Sequence, residues 1–251
     1  MYALITGASS GIGREMAIQL AEKSVDLILV ARRHERLMNL REAIVNKYGV
    51  DVVTYPIDLN NEQSLYTLHN SCQQYDVRIV VNCAGFGKMG LFHDIPLEED
   101  LDMIKTNVTA VHVLTKLFSK SMTRGVILNV ASIAAFSPVP LLSTYGATKA
   151  YVQSLSRAVN YEMKRSGRPI RVITMCPGPV NTEFNKVAHG SFLMPGMSAK
   201  KCAKYAVDGI FGNKEMVLPG FVPKATHILS KITPTAIQLP IEYFVEQCKK
   251  K

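Results

Sequence analysis

Apolar residues in this chain follow two patterns that alternate from one end to the other. Short runs without a polar face, such as Tyr2-Ala3-Leu4-Ile5, are too brief for a helix and read as buried strands. Longer stretches with apolar residues at helical spacing separate them, the first from Arg14 to Lys23. Strands are predicted at residues 2–6, 26–31, 52–56, 78–82, 126–131, 171–176 and 216–218. Such alternation is the pattern of a doubly wound α/β fold, a parallel sheet with helices on both faces. No Pro-, Gly- or Ser-rich linker and no internal repeat interrupts it, so residues 1–251 are read as one domain.

The first strand runs into Thr6-Gly7-Ala8-Ser9-Ser10-Gly11-Ile12-Gly13, with helical spacing directly after it. Strand, glycine-rich turn and helix in that order are the context of a nucleotide-binding turn. Gly7 lets the chain turn tightly, Gly11 lets backbone approach a pyrophosphate, and Gly13 lets helix and strand pack closely. Ser9, Ser10 and Ile12 join them as cofactor-binding candidates. In a Rossmann-type sheet the cofactor lies across the carboxyl ends of the strands. The second strand runs out into Ala31-Arg32-Arg33, with no carboxylate to bond ribose hydroxyls. Two guanidiniums suit a 2′-phosphate, so Arg32 and Arg33 point to NADP(H). The alternative is a pair of arginines that only ends a strand in water.

Tyr145 and Lys149 stand four residues apart and share one face of a helix. A cation beside a phenol favours the phenolate, so Lys149 is expected to lower the tyrosine pKa and let its hydroxyl exchange a proton. The same spacing also occurs on solvated helix faces, and the glycine-rich turn is what gives it weight here.

These pieces resemble the short-chain dehydrogenase/reductase family over nearly the whole chain. Thr6 to Gly13 matches the family's T-G-x-x-x-G-x-G turn, and Asp58-Leu59 looks like its adenine-side contact. Asn82-Cys83-Ala84-Gly85 is similar to its N-N-A-G element, with Cys83 in place of the second asparagine, which implies that Asn82, Ala84 and Gly85 support the central sheet and line the cofactor cleft. Asn107, Ser132, Tyr145 and Lys149 fall on its catalytic residues, and Pro177-Gly178-Pro179-Val180-Asn181-Thr182 on its P-G-x-x-x-T segment beside the nicotinamide. The resemblance implies hydride exchange between a nicotinamide and a carbonyl carbon. Tyr145 would supply the proton and Ser132 would hold the substrate oxygen. Lys149 would bind the nicotinamide ribose and tune the tyrosine, and Asn107 would hold a water joining Lys149 to solvent.

Composition narrows the setting. With 47% hydrophobic residues the chain can bury a large core. The formal charge of +9 could suit nucleic acid, an anionic surface or a phosphorylated ligand. Its basic residues are dispersed and no aromatic residues interleave with them, so nucleic acid is not expected. Five cysteines without a C-x-x-C pair suit reduced thiols, the histidines lack metal-ligand spacing, and the first strand begins at residue 2. A cytoplasmic enzyme without metal is expected, working as a homodimer or homotetramer.

For the substrate, Phe86, Met89, Ile133, Phe136, Val139, Leu141, Leu142, Phe184, Phe192, Leu193, Met194 and Met197 supply an apolar collection. Phe86, Phe136, Leu142, Phe184 and Phe192, with Ser132, are the substrate candidates, and residues 182–200 the covering segment. They suit a hydrophobic ketone or secondary alcohol of the hydroxysteroid kind. The alternatives are a 3-oxoacyl thioester, marked by a basic cluster at the pocket mouth, and a non-catalytic dinucleotide-binding module. Residues 219–251, apolar with a basic tail, resemble an extension found around hydroxysteroid dehydrogenases and 3-oxoacyl reductases. They are read first as a lid, then as a subunit contact, and last as a membrane-surface helix.

Overall fold

The computed structural model describes residues 1–184 and 196–249. Its strands are β1 (Tyr2–Thr6), β2 (Asp26–Val30), β3 (Val52–Tyr55), β4 (Val77–Asn82), β5 (Gly125–Val130), β6 (Ile170–Met175), β7 (Val180–Asn181), β8 (Met197–Ser198) and β9 (Met216–Val217). Seven of them form one parallel sheet in the order β3-β2-β1-β4-β5-β6-β9, while β7 and β8 pair separately. The helices are α1 (Gly11–Ala21), α2 (His34–Tyr48), α3 (Glu62–Cys72), α4 (Leu97–Ile104), α5 (Ala110–Ser121), α6 (Ser143–Arg165), α7 (Ala199–Phe211), α8 (Phe221–Ile232) and α9 (Thr235–Lys249).

The strands read as unbroken apolar runs because both faces of the sheet are covered. Successive side chains alternate between two cores. Ala3, Ile5, Leu27 and Leu29 pack with α1, α2 and α7, while Leu4, Ile28 and Val30 pack with α3 and α5. β1 lies between β2 and β4, so consecutive crossovers leave it in opposite directions. That reversal opens a crevice at the carboxyl ends of the strands.

The seven sheet strands lie where the sequence predicts them, with ends displaced by one residue at most. β3 stops at Tyr55 because Pro56 has no N–H to add to the ladder. The first helix starts at Gly11, three residues ahead of the predicted Arg14, so Gly11, Ile12 and Gly13 form its opening turn. The β7–β8 pair was not predicted, since two-residue strands leave no periodic signal. All five cysteines are free.

Candidate active site

Close packing explains the glycines around the crevice. Gly7 and Gly11 take left-handed φ values of 70° and 56°. A Cβ on Gly7 would lie 2.9 Å from the Ala84 backbone, and one on Gly13 would lie 2.6 Å from the Gly7 carbonyl oxygen. Thr6 completes this joint: its hydroxyl accepts the N–H groups of Cys83 and Ala84 at 3.0 and 3.1 Å and donates to Val81. Ser10 leads into α1 without capping it by its side chain, so the opening N–H groups of the helix remain available to an anion.

Ser132, Tyr145 and Lys149 meet on the crevice floor, and each is at most 9% exposed. Ser132 follows β5, where its Oγ accepts the Ala134 N–H at 3.2 Å and leaves the hydroxyl proton to be donated elsewhere. Tyr145 and Lys149 lie one turn apart on α6, with Lys149 Nζ 5.7 Å from the tyrosine ring centre. Lys149 spends one of its protons on the Val130 carbonyl at 2.9 Å. Asn107 lies within a π-helical turn, residues Lys105–Thr109, and is fully buried. Its amide bonds both the N–H and the carbonyl of Phe86 and also donates to Thr148 at 3.1 Å. A Cβ on Gly85 would sit 2.9 Å from Asn107 Oδ1 and 3.2 Å from Lys149 Nζ, so glycine there keeps room beside both groups.

The electrostatics correct one expectation. Lys149 was expected to pull the phenol toward ionisation, but burial dominates and pushes Tyr145 up to about 12, with the Ser132 hydrogen bond opposing. Burial also pulls Lys149 down to about 8. Both shifts have one physical cause, the removal of water from the crevice floor, which disfavours whichever form carries charge.

At the other end of the crevice, Arg33 donates to the Ser9 and Ser10 hydroxyls at 2.8–3.2 Å. It also pairs with Glu183 at 2.7 Å, as does Arg36. These guanidiniums, Arg36 first, hold the Glu183 carboxyl down at about 2. The partner of Arg33 in this grip is Arg36, one turn into α2. Arg32 lines the same cleft. Neither Arg36 nor Glu183 was singled out from the sequence. The signal for Arg36 was its place three residues after Arg33, at the start of a helix.

The cleft has a volume of about 760 Å³. Of the sequence candidates, it is lined by Gly7, Ser9, Ser10, Gly11, Ile12, Gly13, Arg32, Arg33, Asp58, Leu59, Ala84 and Gly85 at the nucleotide end. Pro177, Gly178, Val180, Thr182, Phe86, Leu142 and Phe184 continue the lining beside Ser132, Tyr145 and Lys149. Asn82 and Phe136 are corrections. Asn82 lies beneath the cleft, where it donates to Asn129 at 2.8 Å and to Thr115, so it gives the sheet the support expected of it but does not line the site. Phe136 packs on the His227 ring at 4.7 Å, behind the wall. Met89, Leu141 and Met197 also stand off the lining, whereas Ile133 and Val139 are on it. Phe192, Leu193, Met194 and most of the covering segment fall in 185–195, outside the described residues. Gly87 was missed: a Cβ there would meet the rings of Phe184 and Tyr145 at 2.9 and 3.0 Å, so its bare backbone lets those rings approach, with centres 5.3 Å apart. The extension contributes Thr226, Ile241, Glu242, Val245 and Glu246 to the cleft wall.

Comparison with known proteins agrees with this geometry. The family model described as short chain dehydrogenase matches residues 1–190. The chain belongs to the short-chain dehydrogenase family, whose members are oxidoreductases of carbonyl and hydroxyl groups. It is 35% identical over 208 residues to a very-long-chain 3-oxoacyl-CoA reductase of Pyrenophora tritici-repentis, a match covering 77% of this chain and 59% of the relative. The enzyme of that name from Anas platyrhynchos is 28% identical, covering 100% of this chain and 84% of its own length. This chain thus spans about three fifths of the first curated relatives it matches. A short-chain dehydrogenase from Sphingobium yanoikuyae, solved in complex with NADPH, superposes with a TM-score of 0.81 at 30% identity, covering 94% of this chain and 97% of the other.

Proposed function

We propose that this chain is an NADPH-dependent reductase of a hydrophobic 3-oxoacyl thioester. The observation that carries the chemistry is the meeting of Ser132, Tyr145 and Lys149 on the floor of a dinucleotide-sized cleft. The substrate class draws on the name shared by the curated relatives and on the apolar wall of Phe86, Ile133, Val139, Leu142 and Phe184. The charged mouth does not add to it: among the described lining residues on that side, Lys88 pairs with Glu99 while Asp102, Glu242 and Glu246 are acidic. Recognition therefore rests on the acyl chain, with no basic cluster among those residues to grip the carrier's phosphates.

The residues present fit NADPH. The glycine turn leaves backbone bare for a pyrophosphate, and the Arg33–Arg36 pair already grips a carboxylate, as it would a 2′-phosphate. Asp58 and Leu59 would border the adenine, and Lys149 would hold the nicotinamide ribose with the protons left after its bond to Val130. When bound, NADPH supplies the hydride for the carbonyl carbon. Ser132, which bonds the Tyr145 hydroxyl, would turn its hydroxyl proton to the carbonyl oxygen and stabilise the charge that develops there. Tyr145 then gives that oxygen its proton. A phenol near 12 can still do so, because an alkoxide is the stronger base. Burial keeps the phenol protonated at neutral pH, the form in which it can give a proton to the developing alkoxide.

The test follows NADPH absorbance with 3-oxoacyl-CoA thioesters of increasing chain length, and with ketosteroids for comparison. We expect turnover that rises with chain length. Reduction of ketosteroids alone would replace the substrate assignment, and loss of all turnover while NADPH still binds would leave a binding module.

A further inference from the structure

Helices α8 and α9 are amphipathic the wrong way round. On α8 the residues turned toward the protein are Pro223, Thr226, His227 and Ser230. The stripe turned to solvent is Phe221, Ile228, Leu229 and Ile232, with Phe221 82% and Ile232 72% exposed. α9 repeats the inversion. Gln238 bonds the carbonyls of Ser230 and Thr233, Glu242 accepts from Ser137, and Glu246 is 3% exposed. Ile237, Ile241 and Phe244 point outward, with Phe244 66% exposed. Spacings of four and three residues line up Ile237, Ile241 and Phe244 on α9. On α8, Ile228, Leu229 and Ile232 share one exposed face, with Phe221 two turns before them. In water such a surface is unfavourable, and it marks a contact with something apolar.

Charge selects the partner. α8 carries Lys224 and Lys231 and no acid, and both acids of α9 lie on its inner side. A second copy of the chain would set these lysines against their equals. A bilayer with anionic headgroups offers hydrocarbon for the stripes and negative charge for the rim. No described helix is long and apolar enough to cross a membrane, so the contact is one of lying in the surface. The same two helices wall the cleft through Thr226 and Val245, and Ile241 stands at the rim between the cleft and the exposed stripe.

We propose that the α8–α9 hairpin docks the protein on an anionic membrane surface, with the cleft wall at the bilayer, so that an apolar substrate can pass between lipid and site. The docking stands apart from the catalytic assignment and is read without turnover. The chain contains no tryptophan, so Ile232→Trp adds a single reporter on the exposed stripe. On phosphatidylcholine vesicles with about one-third phosphatidylserine we expect its emission to shift to the blue and to be quenched by brominated acyl chains. The unlabelled protein should co-float with these vesicles about tenfold better than with pure phosphatidylcholine, and less well as salt rises. Ile228→Glu with Ile232→Glu and Phe244→Glu should abolish flotation while NADPH binding and the melting temperature hold. Absence of flotation on either vesicle overturns the proposal, as does flotation that survives the triple change. A dimer that dissociates in the triple variant, without any lipid binding, would assign the face to a second copy instead.

Discussion

The two ends of the cleft handle charge in opposite ways. At the Tyr145–Lys149 end both groups are buried, and loss of water moves each pKa toward the neutral form. At the Arg33–Arg36 end the side chains are nearly half exposed, and ion pairing draws Glu183 down to about 2. Exposed pairs are screened and contribute little to stability. The lesson is that the buried end, which we propose transfers a proton, holds its groups by packing and loss of water. The exposed end holds its carboxylate by screened pairs that a phosphate could replace.

Four changes break or sharpen this contrast. The largest effect belongs to Tyr145→Phe, which removes the hydroxyl and keeps the ring. Turnover should fall by at least ~10²-fold, the range of a positioned acid, with NADPH binding retained in a fluorescence titration. Next comes Arg33→Ala combined with Arg36→Ala, which should weaken NADPH by about tenfold or more and NADH much less, since charge-assisted forked bonds to a phosphate are lost. Equal losses for both nucleotides would show that no phosphate is held there.

The third is a pH profile of kcat/KM, which reports the free enzyme. Lys149 acts as a cation and its pKa lies near 8, so the rate should hold below pH 8 and decline above it. Lys149→Arg, which stays charged, should carry the decline to higher pH. The sign for stability follows from the same depression. Between about 8 and the ordinary 10.5 the unfolded chain binds the extra proton, so this group makes the fold more stable as pH rises through that window. The smallest effect is that of Glu183→Gln. It removes the carboxylate competing for the two arginines and should tighten NADPH by about two- to fivefold, as expected of an exposed pair. Unchanged affinity would show that Glu183 does not occupy the phosphate site.

The same division between buried and exposed explains what the sequence made legible. Strands buried on both faces must be apolar without interruption, so β1, β2, β4, β5 and β6 could be placed within a residue. Gly7, Gly11 and Gly13 were readable because a side chain there would meet backbone or need a disfavoured φ. That Ser132, Tyr145 and Lys149 would come together was legible through a fixed helical spacing and a family resemblance. The sign of the tyrosine shift was not, because spacing reveals a neighbour but says nothing of how much water is removed around both. Asn82, whose support of the sheet was expected, and Phe136 do not line the cleft as the sequence suggested, for a related reason. Each lies next to the cleft in sequence, but Asn82 bonds into the sheet and Phe136 stacks on His227, a partner ninety-one residues away. The inversion of α8 and α9 could not be read either, since an apolar stripe looks the same whether it faces inward or out.

The central claim is that Tyr145 protonates an oxygen whose carbon accepts hydride from a nicotinamide bound in this cleft. NADPH carrying two deuterium atoms at nicotinamide C4, so that either face delivers label, tests it directly, with a long-chain 3-oxoacyl-CoA as substrate and the product read by mass spectrometry. Deuterium should appear on the new carbinol carbon, and its rate of appearance should collapse in Tyr145→Phe while the labelled cofactor stays bound. Label arriving at an undiminished rate in that variant, or product formed without label, would contradict the account.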